Sequence, residues 1–330
     1  MEDSEVQENN NMKNILVTGG AGFVGCHLVE RLLERHDDYM VVVVDDRPIK
    51  DYGDKSDRVK HIQHCVTDKR MMTKVFELYE FSGVFHLAEN PHTEKMDGLS
   101  ELIRINIMGS MLLADLCTKY ECRLLHSSTN EVYGSLDSDK KTHTYETNCY
   151  RPTTPYAASK ASVDLLLKSY HKTHGTDIII VNSSTSYGPG QGEDKFMPKI
   201  IESLFSDRPV DVYGTGKNIR DWIYIKDHVE SLDLAFHRGT GGQNYNVGGG
   251  MTKDITNKEL VEKINRSYNS VMGIEDVSVG RLINYTSDII GHDHRHSVNY
   301  DKSTLRLRWK PNTTLEMGIS QTIRYYAKGR

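Results

Sequence analysis

Hydrophobic positions follow two alternating patterns through the first half of the chain. Short continuous apolar runs, such as 15–17 and 40–44, are each followed by a stretch in which apolar residues recur every three or four positions. A continuous β-branched run indicates a strand buried on both faces of a parallel sheet, and the three-to-four spacing indicates an amphipathic helix. The alternation therefore predicts an α/β fold in which a doubly wound parallel sheet carries helices on both faces.

The pattern predicts individual elements. Strands are predicted at 13–20, 39–46, 59–66, 83–88, 123–129 and 177–188, and helices at 23–35, 69–81, 99–120 and 155–175. After about residue 185 the alternation ends, because glycine- and proline-rich turns interrupt the short segments, although 257–268 keeps helical spacing. This part is predicted to form a smaller, mixed C-terminal lobe set against the sheet.

Composition narrows the class of protein. The net charge of −5 and the absence of a long Lys or Arg block argue against nucleic acid or an anionic membrane as partner. No apolar run approaches the roughly 18 residues of a membrane helix. Five cysteines without C-x-x-C spacing are typical of reduced thiols, and the acidic, polar residues 1–12 indicate a disordered tail rather than a signal peptide. We therefore expect a globular, cytoplasmic protein.

A glycine-rich turn joins the first predicted strand to the first predicted helix. Gly19, Gly22 and Gly25 have G-x-x-G-x-x-G spacing, and Asp45 ends the second strand twenty positions after Gly25. Glycines let a backbone approach a pyrophosphate, which the helix N-terminus attracts. An acidic residue at that distance accepts hydrogen bonds from ribose hydroxyls and repels a 2′-phosphate. The turn predicts a dinucleotide site that prefers NAD to NADP.

A tyrosine and a lysine lie four residues apart near the start of a predicted helix. Tyr156 and Lys160 share a helix face, and Thr129 closes a strand. Together with the glycine turn they resemble the extended short-chain dehydrogenase/reductase family, which has a Rossmann-like fold. The resemblance implies that Tyr156 accepts a hydroxyl proton while hydride leaves for NAD⁺, and that Thr129 bonds the same hydroxyl. Lys160 and the nicotinamide cation are expected to lower the pKa of Tyr156.

A more specific resemblance covers nearly the whole chain, from about residue 13 to 325. The strings TNEVYG (129–134), YGPGQGEDKFMP (187–198), IRDWIYIKDH (219–228) and GHDHR (291–295) are similar to successive motifs of nucleoside-diphosphate-sugar 4,6-dehydratases. The resemblance implies a hydro-lyase that recycles its NAD. The C4 hydroxyl is oxidised, Glu131 removes the C5 proton, water leaves from C6, and the hydride returns to C6. The product is a 4-keto-6-deoxy sugar nucleotide.

The resemblance also implies which residues bind each ligand. Those lining the cofactor are Gly19, Gly22, Phe23, Val24, Gly25, Asp45, Val66, Leu87, Ala88, Asn106, Ser127, Tyr156 and Lys160. Those holding the nucleoside-diphosphate sugar are His92, Ser186, Lys195, Tyr213, Arg220, Asn246 and His292. Arg220 is expected to clamp the diphosphate rather than to pair with Asp221. No metal site is expected, although histidines stand at 292, 294 and 296.

Domains and a partner follow from the same resemblance. Residues 13–184, with a return segment at about 218–250, are expected to bind NAD, and 185–217 with 251–330 to bind the substrate. A homodimer is expected through a four-helix interface formed by 99–120 and 156–174 of each subunit. Its apolar positions would be Leu112, Leu113, Leu116, Leu165, Leu166 and Leu167.

The chain departs from the family pattern beside the expected base. Asn130 stands where these dehydratases usually have an Asp that protonates the departing C6 hydroxyl, and an amide cannot supply a proton. Three alternatives remain: Asn130 only orients the hydroxyl while water gives the proton, protonated Glu131 gives it, or the reaction differs. Without a neighbouring carboxylate, Glu131 is expected to ionise more readily.

Further departures cluster around the expected sugar, diphosphate and adenine. Ser186 replaces an Asn, Ile289 an Arg and Cys65 an Asp, and 89–95 reads ENPHTEK where relatives usually have AESHVDR. These changes favour a 2-acetamido sugar such as UDP-N-acetylglucosamine over dTDP-glucose or UDP-glucose. Two other functions stay open. One is a 4-epimerase or decarboxylase of the same family, and the other is a non-catalytic NAD-binding sensor.

Overall fold

A computed structural model describes residues 12–49, 52–91, 98–137, 142–250, 254–274, 283–288 and 291–328. The expectations for the tail before residue 12, for His92 and for Ile289 lie outside these residues.

Strands and helices alternate as far as residue 183. The strands are β1 (Lys13–Thr18), β2 (Tyr39–Asp45), β3 (Val59–Gln63), β4 (Gly83–His86), β5 (Arg123–Thr129), β6 (Ile178–Ser183), β7 (Thr185–Tyr187), β8 (Val210–Tyr213), β9 (Ile219–Arg220), β10 (Trp222–Tyr224), β11 (Asn244–Val247), β12 (Ile255–Thr256) and β13 (Ile283–Thr286). The α-helices are α1 (Phe23–Arg35), α2 (Lys69–Tyr79), α3 (Leu99–Leu102), α4 (Ser110–Lys119), α5 (Pro155–His174), α6 (Phe196–Phe205), α7 (Ile225–Arg238), α8 (Asn257–Met272), α9 (Asp301–Leu307) and α10 (Leu315–Lys328).

Seven strands form one parallel sheet in the order β3-β2-β1-β4-β5-β6-β11. The order reverses at β1, because β2 lies on one side of it and β4 on the other. In such sheets ligands bind at this point, in the crevice at the carboxyl ends of the strands. The predicted Rossmann-like, doubly wound sheet is confirmed.

Apolar side chains fill the space on both faces of this sheet. One face packs against α1 and α7, through buried residues that include Leu32 and Leu232. The opposite face packs against α2, α4 and α5, through residues that include Met72, Leu113 and Leu167. Each helix buries one apolar stripe, so the predicted three-to-four spacing is what holds the layers together.

Two predicted elements differ in detail. The helix predicted at 99–120 contains a π-helical stretch, Ile103–Gly109, between α3 and α4. The strand predicted at 177–188 breaks at Ser184, whose hydroxyl lies 2.9 Å from the Asp221 carboxylate and 2.9 Å from the Val247 carbonyl oxygen. Beyond this break, β7 leaves the large sheet and pairs with β10.

Three of the leucines expected at a subunit interface lie elsewhere. Leu113, Leu116 and Leu167 are buried in the core, because their side chains face the large sheet. Leu165 and Leu166 are exposed on the opposite side of α5. Leu113, Leu116 and Leu167 are therefore not available to the expected subunit interface, and the homodimer itself stays a prediction.

The smaller C-terminal lobe contains three two-stranded sheets, β7-β10, β8-β13 and β9-β12. Its helix α8 begins at a capping box, in which Thr256 and Glu259 bond each other's backbone nitrogens. Between the parts of this lobe, α7 and β11 return to the large sheet. Within the described ranges no helix is both long enough and apolar enough to cross a membrane.

Candidate active site

The glycine-rich turn lies between β1 and α1, at the carboxyl edge of the large sheet. Gly19 has a φ of +73°, and a Cβ there would lie 2.6 Å from the backbone nitrogen of Ala88. A Cβ at Gly25 would lie 2.1 Å from the Gly19 carbonyl oxygen. Only glycine fits at these two positions. No side chain therefore projects from Gly19 or Gly25 into the space beside the N-terminus of α1, where Phe23 and Val24 lie.

Asp45 lies at the end of β2, beside this turn. Its Oδ2 accepts a hydrogen bond from the Ala21 backbone nitrogen at 2.9 Å, and its Oδ1 accepts one from the Arg47 backbone nitrogen at 3.0 Å. The Arg47 Nε lies 3.3 Å from the same Oδ1, and a Cβ at Gly22 would lie 3.3 Å from its guanidinium. The structure thus brings Asp45 to the glycine turn and adds Arg47, which the sequence analysis did not consider.

Residues after β4 and β3 complete this edge of the crevice. The backbone nitrogens of Leu87 and Ala88 donate to the carbonyl and the hydroxyl oxygens of Thr18, at 3.1 and 3.4 Å. Val66 is buried against Gly109, where a Cβ would lie 3.0 Å from its methyl group. These predicted cofactor-lining residues therefore lie around the carboxyl ends of β1, β3 and β4.

Asn106, which was expected to line the cofactor site, connects two parts of the fold. It is 2% exposed, its Oδ1 accepts from the Asn90 backbone nitrogen at 2.7 Å, and its Nδ2 donates to the Asn90 carbonyl oxygen at 3.2 Å. The same Nδ2 lies 3.0 Å from the Ser159 hydroxyl. Asn106 therefore ties the loop after β4 to α5.

The start of α5 orients the tyrosine and the lysine. Thr154 precedes the helix, and its hydroxyl accepts from the Ala157 backbone nitrogen at 3.1 Å, while Pro155 is the first helical residue. These signals fix where the helix begins. Tyr156 and Lys160 consequently lie one turn apart on the same face, as their spacing predicts.

Both side chains reach the carboxylate of Glu89, in the loop after β4. The Tyr156 hydroxyl donates to Glu89 Oε2 at 3.0 Å, and Lys160 Nζ lies 3.0 Å from the same oxygen. Lys160 is buried and also donates to the Ser127 carbonyl oxygen at 2.6 Å. One carboxylate oxygen therefore bridges the phenol and the ammonium group.

The pKa of Tyr156 depends first on burial. Burial of the phenol, followed by the charges of Glu89 and Glu131, raises the pKa of Tyr156 well above its ordinary value. Lys160 forms an ion pair with Glu89, so its charge does not act on the phenol alone. The predicted lowering requires the nicotinamide cation as well as Lys160, and it stays a prediction for the protein with NAD bound.

The turn after β5 carries the other expected acid–base groups. Thr129 is buried, and its hydroxyl accepts from the Glu131 backbone nitrogen at 3.2 Å, which starts the 3-10 turn Asn130–Tyr133. Asn130 is 4% exposed, and its Nδ2 has no hydrogen-bond partner in the part of the chain that the structure describes. Buried amide donors are normally satisfied. The Asn130 donor is therefore available to an oxygen of a ligand.

Burial sets the protonation of Glu131. It raises the pKa of Glu131, and the positive charges of His296 and Arg220 only partly oppose this effect. Asp293 and Glu89 raise the pKa further. The expectation that Glu131 ionises more readily beside Asn130 than beside an Asp stays a prediction.

A charged cluster from the smaller lobe faces Glu131. Arg220 ends β9, and the nearest opposite charges are those of Asp293, Glu131 and Asp288. The Asp221 carboxylate instead accepts from the Ser184 hydroxyl and the Gly249 backbone nitrogen, at 2.9 and 3.0 Å. Among the described residues Arg220 forms no ion pair, so the alternative pairing with Asp221 is absent there.

Tyr213 and His292 lie on the same side of the crevice as this cluster. Their rings meet edge to face, with centroids 6.4 Å apart. His292 Nδ1 lies 2.7 Å from Asp288 Oδ1. His296 instead bonds Asp293 at 2.9 Å, so these two histidines of GHDHRH have different acidic partners.

The remaining predicted substrate residues, Lys195, Ser186 and Asn246, differ in exposure and in the groups that they contact. Lys195 precedes α6, half-exposed, with Nζ 3.2 Å from Asp194. The Ser186 hydroxyl bonds His228 Nδ1 at 2.7 Å. Asn246 is fully buried in β11, where its amide accepts from the Tyr133 hydroxyl at 2.7 Å. Asn246 therefore supports the turn after β5 from inside the fold.

Besides Arg47, three further residues of the site were not predicted from the sequence. Glu89 contacts Tyr156 and Lys160, and the pair of Asp293 and His296 faces Glu131. The departure from the family pattern at position 89 was a usable signal for Glu89. The spacing of Asp293 and His296, three residues apart, carried no comparable signal.

Comparison with known proteins places these features in context. The profile of the NAD dependent epimerase/dehydratase family matches residues 15–248. The chain is 32% identical to a dTDP-glucose 4,6-dehydratase of Haemophilus influenzae, over 96% of this chain and 98% of that protein. It is 34% identical to a dTDP-glucose 4,6-dehydratase of Neisseria gonorrhoeae, over 95% of each chain.

Solved structures match this chain over nearly its whole length. A dTDP-glucose 4,6-dehydratase of Bacillus anthracis in complex with NAD has a TM-score of 0.86 and 29% identity, covering 96% of this chain and 97% of that one. A UDP-glucose 4-epimerase of Thermotoga maritima with UDP-glucose has a TM-score of 0.84 and 28% identity, covering 96% and 99%.

Proposed function

Because the chain belongs to the NAD dependent epimerase/dehydratase family, we propose that it dehydrates a nucleoside-diphosphate hexose to a 4-keto-6-deoxy sugar nucleotide. The observation that carries this proposal is the convergence of Tyr156, Lys160 and Glu131 at the carboxyl edge of the large sheet. The dehydratases among its relatives also favour it, since several are at least 30% identical over nearly the whole chain.

The residues at the glycine turn fit NAD. Gly19 and Gly25 leave room for a pyrophosphate, and the Asp45 carboxylate offers oxygens to ribose hydroxyls. When bound, NAD supplies the hydride acceptor for C4 and returns the hydride to C6. Relatives of this fold have been solved with NAD bound, such as that of Bacillus anthracis.

The protein side chains move the protons. Tyr156 takes the proton of the C4 hydroxyl, and Thr129 holds that hydroxyl. The new ketone acidifies C5, and Glu131 removes the C5 proton. As the hydride returns to C6, C5 is protonated again by Glu131, after Glu131 has taken up a proton from water.

Loss of the C6 hydroxyl needs a second proton, which Asn130 cannot give. We propose that Glu131 passes the proton it took from C5 to this hydroxyl, so that the C6–O bond breaks and water leaves. The raised pKa of Glu131 suits this double role, because a carboxylate with a raised pKa is a stronger base toward the C5 proton. The buried Nδ2 of Asn130 donates to the same hydroxyl oxygen and orients it.

Arg220 is the proposed clamp for the diphosphate. Its guanidinium lies among Asp293, Glu131 and Asp288 and forms no ion pair with a described carboxylate. Its Nη1 donates to the Ile219 carbonyl oxygen at 2.8 Å, and its other N–H donors can bind phosphate oxygens. Tyr213, His292 and Lys195 lie in the same lobe and are proposed to complete the substrate site.

A 2-acetamido sugar is the proposed form of the hexose. Support comes from the departures from the family pattern at Ser186 and at 89–95. Incubation with UDP-N-acetylglucosamine, dTDP-glucose and UDP-glucose, followed by mass spectrometry, tests both proposals. Loss of one water from any of them supports dehydration. An unchanged mass with an isomerised sugar supports the epimerase alternative, which Glu131 disfavours, and no reaction with NAD bound supports a sensor.

A second copy of this chain is the proposed partner. Ile103, Met108, Leu165 and Leu166 are all at least 40% exposed on the helices expected to pair, an apolar surface that a soluble monomer rarely leaves uncovered. Light scattering of the protein and of Leu165→Lys tests this, and a monomeric parent protein would contradict it. A cytoplasmic location is also proposed, since its described cysteines carry free thiols.

A further inference from the structure

Asp164 is a buried carboxylate on α5 that the proposed reaction does not use. It lies four residues after Lys160 and eight after Tyr156, so the three side chains follow one side of the helix. The exposed fraction of Asp164 is 0%, and a buried carboxylate is costly unless hydrogen bonds satisfy it. The groups that it bonds therefore indicate its role.

Three donors converge on one oxygen of Asp164. The hydroxyls of Ser128 and Tyr150 donate to its Oδ2 at 3.0 and 2.9 Å, and the Nδ2 of Asn182 donates to the same oxygen at 2.9 Å. Its Oδ1 has no hydrogen-bond partner among the described residues, and the His126 Nε2 lies 3.8 Å away. These three donors therefore require a single acceptor oxygen at this position.

Hydrogen bonds hold each of the last three residues of β5. Lys160 Nζ donates to the carbonyl oxygen of Ser127 at 2.6 Å. The Nδ2 of Asn182, which bonds Asp164, also lies 3.5 Å from the carbonyl oxygen of Thr129. Asp164 bonds the side chain of the residue between these two directly. The carboxyl end of β5 is therefore fixed against α5, and Asp164 is the side chain on which these contacts meet.

We propose that Asp164 is a positioning residue for oxidation at C4, an inference that rests on the proposed dehydration. It holds the end of β5 at a fixed distance from α5, so that Thr129 and Tyr156 reach the same C4 hydroxyl. It acts through Ser128, the residue before Thr129, rather than on the sugar. This alignment matters because a displacement of about 1 Å at the reacting atoms can lower a rate about 100-fold.

The first hydride transfer reports this alignment. Glu131→Gln blocks elimination, so in that background NADH absorbance after mixing with the sugar nucleotide measures the transfer alone. Adding Asp164→Ala removes the acceptor oxygen. We then expect the maximal rate to fall about 100-fold, while the sugar-nucleotide concentration that gives half of this rate changes less than about threefold. Adding Asp164→Asn should keep the rate within about threefold of the background, because an amide oxygen can accept from the same three donors and the amide nitrogen takes the position of Oδ1.

Two further variants make the test independent of folding. Asp164→Ala leaves three buried donors without an acceptor, which can prevent folding. Ser128→Ala keeps the carboxylate, removes its direct bond to β5, and should lower the same rate about tenfold. Asp115→Asn is the matched control and should change nothing. This exposed carboxylate of α4 also bonds a side chain of α5, since the Tyr170 hydroxyl donates to it at 2.7 Å, but it lies away from the end of β5.

The outcomes separate a positioning role from other roles. An unchanged rate in Asp164→Ala or in Ser128→Ala would overturn the inference. A rate in Asp164→Asn as low as that in Asp164→Ala would also overturn it, because the charge rather than the position would then matter. A parallel loss of NAD binding, sugar-nucleotide binding and rate in Asp164→Ala would mean a structural role only. If the parent protein dehydrates no sugar nucleotide and Glu131→Gln forms no NADH, the proposed function is wrong and the inference falls with it.

Discussion

Asp233 joins α7 to α1 and provides a stability test with a defined magnitude. The Arg31 Nε lies 2.8 Å from its Oδ2, and His36 and His237 lie 2.9 and 3.0 Å from its Oδ1. Burial opposes the charge of this carboxylate, but hydrogen bonds from His237 and His36 and the charge of Arg31 outweigh it. They lower the pKa of Asp233 from 3.8 to about 2.

The lowered pKa of Asp233 makes the stability of the folded protein depend on pH. A pKa lowered on folding stabilises the native state above the unfolded value, and the stabilisation is lost as pH falls from about 4 through about 2. At about 1.4 kcal/mol per pKa unit, it corresponds to about 2.5 kcal/mol. Hydrogen bonds to Asp233 also raise the pKa of His237, although burial opposes them. Because that contribution fades as pH rises above about 6.5, the cluster stabilises most between about pH 4 and about pH 6.5.

Asp233→Asn should therefore lower the free energy of unfolding by about 2.5 kcal/mol at pH 5 and by much less near pH 2. Urea unfolding followed by tryptophan fluorescence measures this, since the buried Trp309 donates to the Asp227 carbonyl oxygen of α7 at 3.0 Å. Asp207→Asn, at an exposed turn after α6, is the control and should unfold like the parent. A loss of the same size at pH 5 and at pH 2 would refute the electrostatic reasoning.

Three further predictions concern the reaction. Glu131→Gln should accumulate NADH without releasing water, and product mass spectrometry showing dehydration at the parent rate would remove Glu131 from its role. Asn130→Asp should not accelerate product formation, because Glu131 already supplies the proton; a rate at least tenfold higher would show that proton supply is limiting. Asp45→Asn should weaken NAD binding about tenfold and strengthen NADP binding, because Arg47 becomes free to meet a 2′-phosphate. Equilibrium dialysis with both cofactors checks this, and an unchanged preference would contradict it.

The elements that the sequence predicts well are those set by local pattern. The β-branched run at 41–44 lies in β2, and the pair at 156 and 160 lies on one helix face because helical geometry alone decides it. The split of the strand predicted at 177–188 could not be read locally. It depends on Asp221 and Val247, which approach Ser184 only in the folded chain.

The electrostatic surroundings of the site could not be read locally for a related reason. The predictions for Tyr156 and Glu131 considered neighbours in sequence, Lys160 and the nicotinamide cation, and they left out burial. Burial is the largest influence on each group, and Lys160 is engaged by Glu89, a loop residue. How far a side chain is removed from water is a property of the tertiary structure.

The π-helical stretch Ile103–Gly109 limits how this part of the chain can change over generations. It adds a wide turn to an otherwise α-helical segment, and Asn106 lies inside it. An α-helix rotates about 100° per residue, so deleting one residue here would swing Asn106 away from Asn90 and Ser159. Substitution of an exposed side chain in the stretch would leave these contacts in place, whereas deletion of one residue would break the hydrogen bonds between Asn106 and Asn90. The structure therefore constrains the length of the segment more tightly than its composition.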